Sequence, residues 1–361
     1  MTKIDVQELL KGMRPLKDES GNIIVQSINN MQIVCLTTDD EYNIDKFANP
    51  LSVSVDTRRG YGHLTVHNEE NKPAITLPQA AYLTKQRVQD HAMTKAGYVP
   101  SSNARDFDDS CCVESSQAGQ ISKNDSTLKR TILPYYLKET ALSVVGKDDM
   151  GKLWNSIGSF NSSISAGTRQ HIADYYDKHD KKLEQFIAHF EKPKRCIGTI
   201  VLVDGEIVAI DKFPSFTYAD QVWDTLIRDC YGSIAITQEI KNVDKDKKFT
   251  QFADQNKKKT GESTSDYLRK ILGKTKKSIE GDVRERIEDI FEVEFTKKLD
   301  NSKDGYKSEV IESEGYIGQV ISESGYNHLV SIVKRSAFDA KRLRKASEMK
   351  KKARSQDRFS L

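Results

Sequence analysis

The sequence predicts an α+β fold in which antiparallel β-sheets are combined with a long amphipathic helix and a β-hairpin–helix unit, followed by a basic C-terminal tail that is helical or disordered. Short alternating apolar runs between turn residues predict the sheets, and apolar residues at a 3.6-residue period predict the helix. We divide the chain into an N-terminal helical segment at 1–28, an α+β core at 29–335 with an exposed lysine-rich loop at 241–260, and the basic tail at 336–361.

The first half of the core predicts short strands, because its apolar residues alternate or cluster between Asn, Asp, Gly and Pro. These predicted strands cover residues 31–36, 51–55, 64–67, 74–77 and 110–114, with another inside 132–145. Residues 101–109 have the composition of a loop. Together these runs indicate an antiparallel meander.

The second half of the core alternates helices with paired strands. Apolar residues recur at helical spacing over 170–190, and Pro193 ends that pattern. Two β-branched runs at 197–203 and 207–213 are joined by an Asp-Gly pair, which is a strong signal for a hairpin with a type I′ turn. The remaining predicted elements are helices at 218–228 and 267–298 and paired strands within 317–333.

Composition limits the setting in which the chain works. No run approaches the roughly 18 apolar residues that a membrane span needs, and the first residues lack the basic-then-apolar order of a signal peptide. The five cysteines include no C-x-x-C pair, and Cys111 and Cys112 are adjacent, so they are poorly placed to bond with each other. We therefore expect a reduced protein in the cytoplasm, with no membrane insertion and no metal site.

Common nucleotide-binding and hydrolase motifs are missing from the sequence. It contains no G-x-x-x-x-G-K-[ST] phosphate loop, no G-x-G-x-x-G after a strand and no G-x-S-x-G nucleophile elbow. We therefore expect no cofactor, and a common nucleotide-dependent enzyme or α/β-hydrolase is disfavoured.

One polar region has the residue types of a catalytic site. Asp90 and His91 are followed by Cys112 and Glu114, so a thiol could find its base in this region, and the two carboxylates could act as an acid–base pair. The same region carries Lys85 and several glutamines, which suit contacts to phosphates and base edges. The alternative interpretation is a solvated helix or loop with structural cysteines behind it.

Charge is distributed unevenly along the chain. Residues 334–358 contain eleven Lys or Arg and three Asp or Glu, a local charge of +8; since the whole chain carries +3, the rest carries −5. Each phosphate that a cation neutralises releases counterions, so such a segment binds polyanions at low salt. The predicted nucleic-acid contacts are Arg58, Arg59, Lys85, Arg87, Lys257, Lys258, Lys259, Lys341, Arg342, Arg344, Lys345, Lys350, Lys351, Lys352 and Arg354. A solvated tail without a partner and a tail on an anionic membrane are the alternatives.

Several ordered motifs resemble the ARG-and-rhodanese-phosphatase-associated domain family. They begin with LTVHNEENKP at 64–73, continue through Cys112-Val113-Glu114, and are strongest in the predicted hairpin at 197–213. The resemblance covers roughly residues 30–333. The family pattern has Gly-Arg-Trp after the Cys-Val-Glu run, where this chain has Ser-Ser-Gln-Ala-Gly at 115–119. The resemblance implies a setting in NAD and ADP-ribose metabolism.

These observations lead to three hypotheses about function. The first is binding of single-stranded RNA with low sequence specificity and no turnover, in which Tyr61 and Tyr98 either stack on bases or pack in the core. A lysine-rich body with a basic tail also resembles RNA-binding proteins associated with the nuclear shell of jumbo phages, which implies a phage protein acting on phage mRNA. The second hypothesis, implied by the family resemblance, is an enzyme acting on an NAD- or ADP-ribose-derived substrate. The third is a structural partner, in a protein shell or by self-association.

Overall fold

A computed structural model of the chain describes residues 3–39, 46–60, 62–86, 88–115, 118–146, 149–243, 290 and 293–335. Its strands pair antiparallel throughout these residues and are combined with a few helices, so the predicted α+β class is confirmed. The lysine-rich segment beyond Val243 and the basic tail at 336–361 lie outside the described residues.

Strands outnumber helices in the part of the chain that the structure describes. The strands are β1 (Lys3–Asp5), β2 (Met13–Pro15), β3 (Val25–Ile28), β4 (Met31–Thr38), β5 (Ser54–Asp56), β6 (Leu64–Asn68), β7 (Ala74–Ile75), β8 (Ala80–Leu83), β9 (His91–Met93), β10 (Tyr98–Val99), β11 (Asn103–Phe107), β12 (Ser110–Cys112), β13 (Lys129–Ile132), β14 (Gly198–Val203), β15 (Glu206–Lys212), β16 (Glu294–Lys303), β17 (Tyr306–Glu312), β18 (Tyr316–Glu323) and β19 (Tyr326–Lys334). The helices are α1 (Val6–Leu9), α2 (Tyr135–Ser143), α3 (Met150–Ser163), α4 (Ala173–Ile187), α5 (Phe216–Asp224) and α6 (Gly232–Val243), with a π-helical segment at Thr225–Tyr231.

A ten-stranded sheet forms the centre of the fold. Its strand order is β1-β16-β17-β18-β19-β15-β14-β4-β2, and β3 also pairs with β4. Successive residues of β14 face opposite sides of this sheet. Ile200 and Leu202 belong to the hydrophobic cluster that contains Leu9 of α1, whereas Val201 belongs to the cluster that contains Trp223 of α5. Both faces of the sheet are therefore covered.

Three smaller sheets complete the β-structure. They consist of β10-β7, β11-β6-β5 and β12-β9-β8-β13. In the last of these, Cys112 on β12 is paired with His91 on β9. Ala81 and Ala92 of this sheet share a hydrophobic cluster with Leu153 of α3 and with residues of α2 and α4. This four-stranded sheet and its helices position the candidate site described below.

A buried ion pair joins the helices to the central sheet. Lys138 on α2 and Asp211 on β15 are both fully buried, with the Lys Nζ atom 3.6 Å from the Asp Oδ1 atom. The ammonium donates to Ser331 Oγ at 2.9 Å, and the Tyr231 hydroxyl donates to the Asp211 carboxylate. Because these partners compensate both charges inside the core, we assign the pair a structural role.

The strongest local sequence signals are confirmed. β14 and β15 pair across Asp204 and Gly205, whose φ angles of +53° and +77° match a type I′ turn. The helix predicted at 170–190 is α4, and the one predicted at 218–228 is α5 with the π-helical segment. The predicted strands at 31–36, 64–67, 110–114 and 317–333 correspond to β4, β6, β12, β18 and β19, and those at 51–55 and 74–77 overlap the shorter β5 and β7.

The helical segment predicted at 1–28 is wrong apart from one turn. In α1, the Asp5 side chain caps the helix by accepting the Glu8 N–H at 2.7 Å. Around it, β1, β2 and β3 are strands of the central sheet. Gly12, with a φ of +79°, and Pro15 interrupt any longer helix, so the apolar residues are used by strands instead.

Three further predictions are wrong in part or entirely. Residues 103–107, predicted as a loop, form the edge strand β11, whose side chains are mostly exposed and therefore lack the apolar alternation of a half-buried strand. The strand predicted inside 132–145 is mainly helix α2, which begins after Pro134, a residue suited to helix starts. Of the helix predicted at 267–298, residues 294–298 belong to β16, and most of the remainder lies outside the described residues.

Candidate functional site

Three separate backbone segments meet beside the four-stranded sheet. Asp90 precedes β9, Glu114 follows β12, and His171 precedes α4. Glu114 and His171 face each other in an isolated antiparallel bridge, and the Val113 N–H donates to the Asp90 carbonyl at 2.9 Å. The Ile172 N–H donates to the Val113 carbonyl at 3.1 Å. This local pairing brings the three side chains together.

The side chains of Asp90, Glu114 and His171 form what we call the carboxylate–imidazole cluster. The His171 Nε2 atom lies 3.0 Å from Asp90 Oδ2 and 3.4 Å from Glu114 Oε2. Its Nδ1 atom lies 3.7 Å from Asp174 Oδ1. Both carboxylates of the cluster are almost fully buried, whereas the His171 side chain is 13% exposed. The imidazole is therefore the member closest to solvent.

The surroundings of His171 favour its charged form. Burial by itself lowers the pKa of the imidazole, but the hydrogen bond to Asp90 and the nearby carboxylates of Glu114, Asp90 and Asp174 outweigh it, so the His171 pKa is raised above 6.5. A protonated imidazole can donate to one of the two carboxylates that face its Nε2 atom. The cluster can thus hold a proton at a higher pH than a free imidazole does.

Other hydrogen bonds fix the geometry of the cluster. The Thr84 N–H donates to Asp90 Oδ1 at 2.8 Å. The amide of buried Asn161 donates to the backbone carbonyl of His171 at 2.8 Å and to that of Arg169 at 3.1 Å. The Arg169 guanidinium holds Asp174, with Nε 3.0 Å from Oδ2. Hydrogen bonds to the His171 backbone and to the carboxylates around its ring therefore fix the orientation of the imidazole.

The same three residues could hold a divalent metal ion. One ligand atom from each of Asp90, Glu114 and His171 lies within 4.8 Å of the other two. Carboxylate oxygens with one imidazole nitrogen suit borderline or hard divalent ions such as Mn²⁺ or Zn²⁺. The expectation of no metal and no cofactor stays a prediction, since the arrangement of the side chains is compatible with an ion and does not require one.

Cys112 and His91 form a second, fully buried pair next to the cluster. The Cys112 Sγ atom lies 3.3 Å from His91 Nε2 and 3.3 Å from Gln89 Oε1. Burial raises the pKa of Cys112 to about 11, and burial lowers the pKa of His91. A neutral thiol beside a neutral imidazole is not an activated nucleophile. The structure thus brings all four predicted catalytic residues into one region but separates them into two groups.

Sequence reasoning missed His171, the residue that both carboxylates contact. In the sequence it stands at the start of the predicted helix, 57 positions after Glu114, with no motif around it. Only the pairing of residues 113–115 with 170–172 shows that it belongs to the site.

Three of the predicted basic contacts, Arg58, Arg59 and Lys85, are exposed on neighbouring loops. Residues 120–127 connect these loops: the Gln120 amide donates to the Arg58 carbonyl at 3.4 Å, and the Lys85 N–H donates to Thr127 Oγ1 at 3.1 Å. Arg59 is ion-paired with Asp106 at 2.7 Å. Arg58 and Lys85 are therefore both anchored, through their backbones, to the segment 120–127.

The other predicted contacts are not placed by the structure. Arg87, the lysines at 257–259, all the tail cations and Tyr61 lie outside the described residues. Tyr98 is buried and stacks on Tyr306, with ring centroids 3.9 Å apart. Of the two interpretations of Tyr98, stacking on a base is therefore wrong and core packing is confirmed.

The fold and the site define an antiparallel α+β protein with a buried carboxylate–imidazole cluster. The chain belongs to the ARG and Rhodanese-Phosphatase-superfamily-associated Protein domain family (ARPP-1), whose family model matches residues 23–302. No curated protein and no solved structure matches the chain. The family resemblance of the motifs is thus confirmed, and the whole carboxylate–imidazole cluster lies within the matched range. The resemblance to phage RNA-binding proteins stays a prediction.

Proposed function

We propose that the protein binds single-stranded RNA with low sequence specificity and no turnover, through its basic segments. The observation that carries this proposal is the charge separation, with +8 in residues 334–358 against −5 in the rest of the chain. RNA phosphates attract such a segment because each neutralised phosphate releases counterions, and this attraction does not depend on base sequence.

Exposed cations of the body support the same proposal. Arg58 and Lys85 are both solvent-exposed on loops joined by residues 120–127. Arg59 is nearby but shares its charge with Asp106. Arg58 and Lys85 are therefore the cations of the described body that we expect to contact RNA phosphates in addition to the tail.

The proposed RNA binding also implies where the protein works and which further partners it has. In the part of the chain that the structure describes, no helix combines the length and apolar character needed to cross a membrane. An RNA-binding protein of this kind would work in the cytoplasm, and in the host cytoplasm near a phage nucleus if a phage encodes it. A protein shell or a second copy of the chain is the further partner in that setting.

Fluorescence anisotropy of a labelled, unstructured oligoribonucleotide of about 12 nucleotides tests the proposal on the full chain. The tail variant replaces Lys350, Lys351, Lys352 and Arg354 with Gln. The matched body variant removes the same charge from exposed lysines, at Lys11, Lys17, Lys178 and Lys307. We expect the tail variant to lose affinity by about tenfold or more at low salt, and the body variant to bind nearly as the parent does. Equal losses in the two variants would contradict the proposal.

A second candidate function is an enzyme acting on an NAD- or ADP-ribose-derived substrate. The observation that favours it is the contact of Asp90 and Glu114 with the same Nε2 atom of His171. An imidazole held between carboxylates could move a proton as a general acid or base, or could ligate a metal ion. Cys112 has no part in this version, because its thiol is buried and neutral.

Product analysis distinguishes the two candidates. The full chain would be incubated with NAD or ADP-ribose, with and without Mn²⁺. Turnover that disappears in Glu114→Gln and His171→Gln but persists in Cys112→Ser would support the enzyme. The absence of any product under both conditions would reject it.

A further inference from the structure

A concave site lies apart from the carboxylate–imidazole cluster and shares no residue with it. It lies where the loop that precedes β14 meets the first turns of α5, and its volume is about 310 Å³. We call it the basic cleft. Its lining includes Lys192, Lys194, Arg195, Phe216, Asp220 and Trp223.

The lining of the basic cleft is positively charged. It contains three cations and one carboxylate, which leaves a net charge of +2. Lys192 is ion-paired with Asp220 at 2.8 Å. Lys194 and Arg195 are exposed, and the Arg195 guanidinium lies 5.9 Å from the centre of the Phe216 ring. A concave surface with this charge raises the local concentration of anions.

The start of α5 adds backbone donors to the cleft. Ser215 caps the helix by accepting the Tyr218 N–H at 3.0 Å, and the first intrahelical bond runs from the Ala219 N–H to the Ser215 carbonyl. The N–H groups of Phe216 and Thr217 precede that bond, so they have no acceptor within the helix. Such N–H groups, together with the positive end of the helix dipole, favour a bound anion.

Trp223 forms part of the aromatic wall of the cleft. Its side chain is almost completely buried in the wall of the cleft, at 3% exposure. Its indole N–H has no hydrogen-bond acceptor among the described residues. Because the indole nitrogen itself is buried, Trp223 contributes the edge of its ring, and not its N–H, to the wall of the cleft.

The loop that carries the cations is held in place before any ligand arrives. The Gln26 side chain on β3 makes two hydrogen bonds with the backbone of Glu191, at 2.6 and 2.7 Å. The Cys196 N–H donates to the Pro193 carbonyl at 3.3 Å, and Arg195 adopts a left-handed φ of +63°. A preformed site loses less entropy on binding than a mobile loop does.

We propose that the basic cleft binds the phosphate group of a nucleotide unit, held by Lys194, Arg195 and the start of α5, with its ring against the aromatic wall. The volume lies at the low end of small-molecule sites, which span about 300–1,000 Å³, and suits one nucleotide rather than a dinucleotide. A free mononucleotide and an RNA strand both supply this chemistry. Where RNA supplies it, the inference rests on the proposed function.

Tryptophan emission gives a readout that is specific to the cleft. The chain has two tryptophans, so Trp154→Phe leaves Trp223 as the reporter and Trp223→Phe leaves Trp154 as its control. Adenosine monophosphate and the same oligoribonucleotide would be titrated into the full-length Trp154→Phe protein. In that background, Lys194→Gln with Arg195→Asn removes two cleft cations, and Asn tolerates the left-handed backbone. Lys178→Gln with Lys181→Gln on α4 removes the same charge elsewhere.

We expect both probes to change the emission of Trp223, with an affinity about tenfold lower in the cleft variant and unchanged in the α4 control. Trp154 emission in Trp223→Phe should not respond. A response to the oligoribonucleotide alone supports the cleft as part of the RNA path. A response to adenosine monophosphate alone supports the cleft and rejects RNA as its source.

If neither probe affects Trp223 while anisotropy still detects RNA binding, the inference about the cleft is wrong and the proposed function survives. If anisotropy detects no binding either, both are wrong. Should Trp154→Phe fold poorly, calorimetry can measure the affinity for adenosine monophosphate in the parent background instead. A lower affinity in the cleft variant than in the α4 control would then support the cleft, and equal affinities or no binding would reject it.

Discussion

The carboxylate–imidazole cluster and the basic cleft arrange charge in opposite ways. In the cluster, an imidazole lies within 3.4 Å of two carboxylates that are almost fully buried. In the cleft, three cations gather at the surface around a single carboxylate. Buried pairs are screened little by salt, whereas exposed charges are screened strongly. The cluster should therefore govern how the protein responds to pH, and the cleft and the tail should govern how it responds to salt.

Substitutions in the cluster and in the cleft should affect different properties, stability in the first and binding in the second. A buried charge that loses its partner destabilises the fold, because the remaining charge cannot be hydrated. An exposed cation that is removed changes the folded state little, because water already solvates it. Substitutions in the two regions should thus have effects of different kinds.

The largest expected effect is on stability and comes from the buried region. Asp90→Ala removes the carboxylate that accepts from both His171 and the Thr84 N–H, so the free energy of unfolding should fall by about 3 kcal/mol in urea denaturation. The control, Asp106→Ala, removes a carboxylate nearer the surface that pairs with Arg59 and accepts from the Thr65 hydroxyl, and should cost about 1 kcal/mol. Similar losses in both variants would remove the distinction between buried and exposed charge.

Thiol reactivity shows what chemistry the buried region allows. Because the pKa of Cys112 is raised to about 11, its thiolate at pH 8 is about a hundredfold rarer than that of an ordinary cysteine. We expect iodoacetamide to modify the Cys112 peptide at least that much more slowly than a small free thiol, as followed by mass spectrometry. Rapid modification of Cys112 in the folded protein would restore it as a candidate nucleophile.

A smaller effect is expected in the pH dependence of stability. The raised pKa of His171 stabilises the fold below pH 6.5, and that contribution is lost as the pH rises through the folded pKa. His171→Gln should therefore remove a fall in the free energy of unfolding that the parent shows above pH 6.5. Burial lowers the pKa of His179, so this residue makes the free energy of unfolding rise with pH up to about 6.5. His179→Gln should therefore remove that rise. Identical pH profiles for the two variants would contradict these assignments.

The sequence was informative where structure is decided locally. The hairpin around Asp204 and Gly205 needs positive φ at two adjacent positions, and Asp-Gly supplies them. β1 could not be predicted in the same way, because its partner β16 begins 289 positions after Asp5, where Glu294 is its register partner. The apolar residues near the N-terminus fit a helix and an edge strand equally well until that partner is known.

The candidate site was predictable only in part for the same reason. Residue types marked Asp90, Glu114 and Cys112, since two carboxylates and a thiol in one polar region can supply an acid–base pair and a nucleophile. Their grouping depends on β9 and β12 pairing and on the bridge between Glu114 and His171. The basic cleft was missed because its cations look like an ordinary solvated loop until α5 is placed against them.

The central claim, that exposed cations bind RNA through its phosphates, is tested most directly by the salt dependence of the affinity. The dissociation constant of the full chain for the unstructured oligoribonucleotide would be measured between about 50 and 200 mM salt. Each phosphate contact to a single strand contributes about 0.7 to the slope of log affinity against log salt, so removing the four tail cations should flatten it by roughly 3. Asp90→Ala should leave the slope unchanged. An intact chain that ignores the oligoribonucleotide in dilute buffer, or binds it with no dependence on salt, would contradict the account.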